Sequence, residues 1–327
     1  ADGRAAMLAL ASEDPSLAQL FDGSRHAPHP IGPDEQPAAA GVAPAWLETQ
    51  LEASGVSGDD ARALLDRAPL DIRVNTLIAD RATIELPEPG EPTAAPQGLR
   101  FAGGTPVEQW HIFADGAVEV QDTGSQLACL ALCAHAGETV VDLCAGAGGK
   151  TLALAAAMGD QGRLVACDVD RGRLSRLLPR AERAGVRIAE TRLLDPGREA
   201  EALADLAGGV DAVLIDAPCS GTGTWRRNPE ARWRLTEREL QRLCALQARL
   251  LDVGAALVRP GGRLLYVTCS LLDAEGKDQV AAFLDRQPAW QADPQILPAG
   301  RVHGHGVRLT PHHDQTDGFF IARLCLR

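Results

Sequence analysis

From Gln121 onward, short apolar runs rich in Val, Leu, Ile and Ala alternate with longer stretches whose apolar residues recur at helical spacing. The runs fall at residues 139–143, 163–167, 186–194, 212–215 and 263–267, and the spacing predicts strands there with helices between them. Strands that alternate with helices build a mostly parallel sheet covered on both faces, so an α/β fold is expected. Upstream the pattern differs. Trp46, Leu47 and Leu51, then Ala61, Leu64 and Leu65, fit two short helices broken by Gly55 and Gly58. Residues 70–86 and 98–120 lean towards short strands, separated by a proline-dense stretch at 87–96. Residues 5–10 fit a short helix, and the His/Pro/Gly-rich sequence at 26–44 reads as a linker. The expected organisation is a helical remnant and linker at 1–43, a small α+β domain at 44–120 and a larger α/β domain at 121–327.

A chain of 327 residues, 45% hydrophobic and 23% charged, is long enough to bury a sizeable core. No apolar run approaches the roughly 20 residues needed to span a bilayer, and no basic-then-apolar leader opens the sequence. A cytoplasmic monomer is expected. The chain starts at Ala1, which leaves room for a preceding domain. A net charge of −12 excludes a protein that coats nucleic acid by bulk electrostatics, so any RNA contact must be local. The eight cysteines lack the paired spacing of a zinc site or disulfide framework, and no metal is expected. Lysine occurs only at Lys150 and Lys277, which draws attention to Lys150.

The first strand runs into Cys144-Ala145-Gly146-Ala147-Gly148-Gly149-Lys150-Thr151 and then an Ala/Leu-rich helix. Such a glycine-rich turn lets a nucleotide-like ligand approach the backbone at the positive end of a helix. The dinucleotide pattern needs glycine where Thr151 stands, and a Walker A loop needs glycine where Cys144 stands. Asp168 ends the second strand about 20 residues on, where a carboxylate accepts from ribose hydroxyls; Arg173 is a possible helper. The fourth strand ends in Asp216-Ala217-Pro218-Cys219-Ser220-Gly221, followed by Arg226 and Arg227, and the fifth ends in Thr268-Cys269-Ser270. Two thiols are thereby expected at the carboxyl edge of the sheet. Cys129, Cys133, Cys167, Cys244 and Cys325 are read as inert small hydrophobes. Arg232 and Arg234 are either phosphate contacts or helix-surface partners of Glu230, Glu237 and Glu239. His303, His305, His312 and His313 are read as a surface loop.

At these motifs, together with Gln121-Asp122 and Ser125, the chain resembles the Sun/Fmu family of bacterial RNA cytosine-5 methyltransferases. The resemblance covers most of the chain from Pro44 on. It implies a Rossmann-like S-adenosylmethionine-dependent sheet whose cofactor site comprises Cys144, Ala145, Gly146, Ala147, Gly148, Gly149, Lys150, Asp168, Asp195 and Asp216, beside which Arg173 is the helper read from the residues. It further implies Cys269 as nucleophile, Cys219 as the thiol that serves product release, and a small domain that holds RNA through Arg73 and Asn75. Arg226 and Arg227 are candidate phosphate contacts. Small-subunit ribosomal RNA is the implied substrate, and relatives often carry an N-terminal helical domain of which at most the tail falls here.

Carbon 5 of cytosine is a poor nucleophile until a thiolate adds at carbon 6, so a cysteine pair beside a carboxylate suits this chemistry. Asp216 is then expected at the N3/N4 edge of the ring. The Pro218-Cys219 turn is like that of DNA cytosine methyltransferases and leaves Cys219 open as the nucleophile from the residues alone. Two other classes stand beside this reading: a P-loop-like NTPase using Gly149-Lys150-Thr151 with Asp216 on magnesium, and a non-catalytic RNA-binding module.

Overall fold

The computed structural model describes residues 3–24, 27–37 and 41–327; His26 and residues 38–40 of the expected linker lie outside the described residues. The chain divides into two compact units, Ala1–Thr49 and Gln50–Arg327. In the first, a helix at Gly3–Glu13 packs Leu8 and Ala11 with Phe21.

Within the second unit four short strands, β1 (Leu70–Val74), β2 (Glu91–Pro92), β3 (Gly98–Phe101) and β4 (Val118–Val120), form an antiparallel sheet in the order β2-β3-β1-β4. Its core is Ile72, Val74, Leu99, Phe101, Val107, Trp110 and Val118, with Phe101 and Trp110 packed edge to face. Only β1 forms in the β-leaning stretch 70–86, because the residues after Asn75 turn instead.

The large sheet contains β5 (Thr139–Asp142), β6 (Arg163–Asp168), β7 (Ala189–Leu193), β8 (Val210–Asp216), β9 (Val258–Thr268), β10 (Trp290–Ala292), β11 (Arg301–His303), β12 (Gly306–Leu309) and β13 (Phe319–Leu326). Its order is β11-β12-β13-β9-β8-β5-β6-β7, with β10 also on β13. β5 to β9 run parallel to one another, while β13 runs antiparallel to β9. All five predicted strands are present. The antiparallel segment β10–β13, absent from the sequence reading, is a sheet extension where a surface loop was expected around the late histidines.

The central strands read as continuous apolar runs because both faces are covered. Strand alternation survives as a choice between two cores: Val140, Ala212, Leu214 and Leu265 enter one, and Val141, Val213, Ile215 and Tyr266 enter the other. From β5 the chain winds outward through β6 and β7, then returns to β8 on the other side of β5. This reversal opens a crevice at the carboxyl ends of β5 and β8, where α/β sheets bind ligands.

Candidate active site

The loop after β5 is shaped by glycines at two positions that need them. Gly146 and Gly148 adopt φ of +56° and +88°, a left-handed conformation that strains other residues. A Cβ at Gly146 would sit 2.4 Å from an Arg173 guanidinium nitrogen, so the turn and Arg173 lie against one another. Asp168, at the end of β6, closes the turn: its Oδ2 accepts from the Gly146 N–H at 2.7 Å and its Oδ1 from the Asp170 N–H at 2.8 Å.

Lys150 reaches from the first turn of the helix Gly149–Ala157 across to the end of β8, where its Nζ donates to Asp216 Oδ2 at 2.6 Å. Burial alone would lower the lysine pKa; the Asp216 charge and hydrogen bond outweigh it and hold the ammonium charged. Beneath this pair, the fully buried Asp142 accepts from Thr151 Oγ1 at 2.7 Å. Its pKa is raised to about 7 by burial, against the Thr151 hydrogen bond and with the nearby Asp216 charge adding to the rise.

The turn after β8 and the turn after β9 meet. Cys219 Sγ and Cys269 Sγ are 3.4 Å apart, and both border the cavity that Asp168 and Asp216 line. The hydrogen bond with Cys269 and burial push the Cys219 thiol well above its ordinary range, so Cys219 keeps its proton at neutral pH. Backbone contacts set the approach: Gly223 N donates to Cys269 O at 3.0 Å, and Gly318 N donates to Gly223 O at 2.8 Å. The cavity has a volume of about 540 Å³. Its polar end carries Asp168, Asp170, Arg173 and Asp216, and an apolar wall is built from Leu143, Leu194, Pro196, Leu246 and Leu250. A second hollow on the other side of Lys150 and Asp216 is lined by Gln121, Asp122, Ser125 and Arg180.

The structure thus brings together Cys144, Asp168, Arg173, Asp216, Cys219 and Cys269 around the cavity, with Lys150 on Asp216. Ala145, Ala147 and Gly149 face the second hollow. Asp195 is exposed, and the cavity is lined by its neighbours Leu194 and Pro196 instead. Leu246, Arg242 and Arg249, on the long helix Glu237–Leu257, were missed because their apolar and charged spacing is that of any amphipathic helix.

The expected RNA contacts need correction. Arg73 and Asn75 are buried; Arg73 Nε donates to Gln121 Oε1 at 2.8 Å, and Asn75 Nδ2 donates to the carbonyls of Gly116 and Ala184, both at 2.9 Å. Those two carbonyls lie beside the small sheet and beside the large one, so Asn75 ties the sheets together. Arg226 is half-buried, its guanidinium turned onto Asp317 at 3.0 Å. Arg227 pairs with Asp317 at 2.5 Å and Asp122 at 3.3 Å while keeping part of its side chain in solvent. Among the expected inert cysteines, Cys129, Cys167 and Cys244 are buried or half-buried, with pKa values raised to about 12, 12 and 11 mainly by burial. Cys133 departs from expectation: it is exposed, with φ of +57° at a helix C-terminus. His303 also departs, since its Nε2 lies 2.6 Å from Asp273 Oδ1 in an ion network with Arg308 and Lys277.

A profile of the family described as 16S rRNA methyltransferase RsmB/F matches residues 129–325, which include the loop after β5 and both thiol turns. The chain belongs to this RsmB/F family. Ribosomal RNA small subunit methyltransferase B of Xanthomonas campestris is 39% identical over 293 residues, 86% of this chain and 66% of the relative. Its Citrobacter koseri counterpart is 34% identical over the same shares. The crystal structure of a methyltransferase homolog protein from Pyrococcus horikoshii superposes with a TM-score of 0.69 at 26% identity, covering 86% of this chain and 99% of that one. The chain spans about three fifths to two thirds of the length of the first curated relatives it matches. Among the described residues no helix is long and apolar enough to cross a membrane.

Two features separate this site from a P-loop. The lysine that would meet phosphates is engaged by Asp216, and the Thr151 hydroxyl that would meet magnesium is buried on Asp142.

Proposed function

We propose that this protein transfers a methyl group from S-adenosylmethionine to carbon 5 of a cytosine in small-subunit ribosomal RNA, with Cys269 as nucleophile and Cys219 as the release thiol. The observation that carries the reading is the pair of sulfur atoms 3.4 Å apart on the wall of a cavity that also holds Asp168 and Asp216. The relatives named above are described as methyltransferases of small-subunit ribosomal RNA, which supplies the substrate class.

The residues present fit S-adenosylmethionine. Asp168 stands where ribose hydroxyls need an acceptor, Leu194, Pro196, Leu246 and Leu250 offer an apolar slot for a purine face, and the left-handed turn at Gly146 leaves no Cβ in the way. When bound, this cofactor supplies an electrophilic methyl group on a sulfonium.

Cys219 retains its proton 3.4 Å from Cys269, which leaves Cys269 as the thiol assigned to attack. The Cys269 thiolate adds to carbon 6 of the unstacked cytosine, and the electron pair displaced to carbon 5 makes that atom nucleophilic. Asp216, held by Lys150, accepts from the exocyclic N4 amino group and so orients the ring for attack. After methylation a base takes the carbon 5 proton as the carbon 6–sulfur bond breaks, which restores the ring and returns the Cys269 thiolate. Cys219 assists this elimination from 3.4 Å away. Exposed Trp233, with Arg232 5.5 Å from its ring and Arg234 beside it, offers a stacking face and positive charge for neighbouring nucleotides.

Bisulfite sequencing of ribosomal RNA from cells with and without the protein tests the reading. A single cytosine that becomes bisulfite-sensitive on deletion supports it, and an unchanged small-subunit profile overturns it.

A further inference from the structure

Beside the two thiols lies an acid that the chemistry above does not use. Glu275 sits in the short turn Asp273–Glu275, six residues past Cys269, and is completely buried. Its Oε1 accepts from the Ser220 N–H at 2.8 Å and from Gln247 Nε2 at 3.0 Å. Its Oε2 accepts from Ser270 Oγ at 2.6 Å and from the Ser220 hydroxyl. Gln247 Nε2 also donates to Pro218 O at 2.9 Å, so the residues after Cys219 and Cys269 bond one carboxylate directly, and the residue before Cys219 is tied to it through Gln247.

A buried carboxylate is costly to desolvate unless several donors satisfy it, and an apolar side chain would fill the same volume without that cost. Here four donors come from three different segments, and two of them flank the reacting sulfurs. Both serine hydroxyls donate to Glu275, which fixes their rotors and leaves each turn one permitted placement. Ser270 Oγ in addition lies 3.1 Å from Thr222 Oγ1 and 3.2 Å from Ser220 Oγ, closing the network between the turns. Glu275 has no solvent-facing surface, so it acts on substrate only through these partners.

We infer that Glu275 is a positioning residue that locks the two thiol turns in register and sets its carboxylate behind Cys219. Its catalytic meaning rests on the methyl-transfer reading; its effect on the thiols does not. The Glu275 charge is among the influences that raise the Cys219 pKa, after the Cys269 hydrogen bond and burial.

The experiment has two arms on the full chain. In a Cys269→Ala background, iodoacetamide labelling of the Cys219 peptide is followed by mass spectrometry against pH, with and without Glu275→Gln. Removing the charge while keeping the shape speeds labelling at pH 8 by about threefold or more. A merely structural acid leaves the pH profile where it was, and superimposable profiles overturn the proposal. In the Cys269-containing protein, Glu275→Gln lowers kcat on a 16S rRNA transcript roughly tenfold or more with the S-adenosylmethionine KM unchanged. Parent-like kcat overturns the positioning role. Glu275→Asp keeps the charge on a shorter arm: slow Cys219 labelling with reduced kcat supports the assignment, and it decides the matter should Glu275→Gln fail to fold. If the parent protein methylates no RNA, the functional reading falls while the labelling arm still judges Glu275.

Discussion

Cys219 and Cys269 come from turns fifty residues apart, yet their sulfurs stand 3.4 Å from one another, and burial with their mutual hydrogen bond keeps the proton on Cys219. Cys269→Ala is expected to abolish methyl transfer and any covalent RNA complex. Cys219→Ala is expected to form the adduct and release it slowly, so that a protein–RNA species accumulates on denaturing gels. Accumulation in Cys269→Ala instead would exchange the two roles.

Asp168 uses both carboxylate oxygens on the backbone of its own site. Asp168→Ala removes the acceptor proposed for ribose and frees the Gly146 turn. A charged hydrogen bond is worth about 1.5–3 kcal/mol, which corresponds to a loss of roughly 10- to 100-fold in S-adenosylmethionine affinity. Isothermal titration measures it, and affinity within twofold of the parent would remove Asp168 from the cofactor site.

The raised pKa of Asp142 makes stability depend on pH in a defined direction. Below its unfolded value of 3.8 the group is protonated in both states; from there to about 7 the unfolded chain loses the proton and the folded chain keeps it. Stability therefore falls as pH rises through that window, by at most ~1.4 kcal/mol per pH unit, and the penalty is constant above it. Asp142→Asn keeps an acceptor for Thr151 and removes the titration. Urea melts at pH 5 and pH 8 should show the variant gaining on the parent at the higher pH; a pH-independent difference would place the Asp142 pKa near its unfolded value.

Gly223 is pressed against Gly318, and a Cβ there would lie 2.1 Å from the Gly318 carbonyl oxygen. Neither partner is a side chain that can swing away. Gly223→Ala is expected to cost about 1–3 kcal/mol from the forced backbone shift. Thermal unfolding reads the loss, and because Gly223 bonds to Cys269 O, methyl transfer should fall by more than the folded fraction explains. An unchanged melting temperature would contradict the packing.

Much of this protein was legible along the chain. The five parallel strands announced themselves because strands covered on both faces must be apolar throughout, and the glycine turn and strand-end acids could be placed from their distance to those strands. The thiol turns were equally visible, since strand ends in such sheets share one edge. The antiparallel extension escaped notice because β10, β11 and β12 are only three or four residues long and the longer β13 owes its place to β9, about fifty residues earlier.

Charged residues divide along the same line. Sequence marks Arg73, Asn75 and Arg226 as polar groups suited to RNA, but whether a guanidinium meets a phosphate or an internal partner depends on what the fold sets opposite it. Asp317 lies 91 residues from Arg226, and nothing local to either announces the pair. Glu275 is the sharpest instance: an acid in an ordinary turn becomes the common acceptor for both thiol loops only when β8 and β9 lie side by side. The sequence by itself determined which elements form and which reactive groups sit at their ends, because backbone periodicity and strand polarity are local. The tertiary structure alone decided which of those groups are neutralised, buried or aimed at one another, because hydrogen bonds and charges act over a few ångströms of space irrespective of separation along the chain.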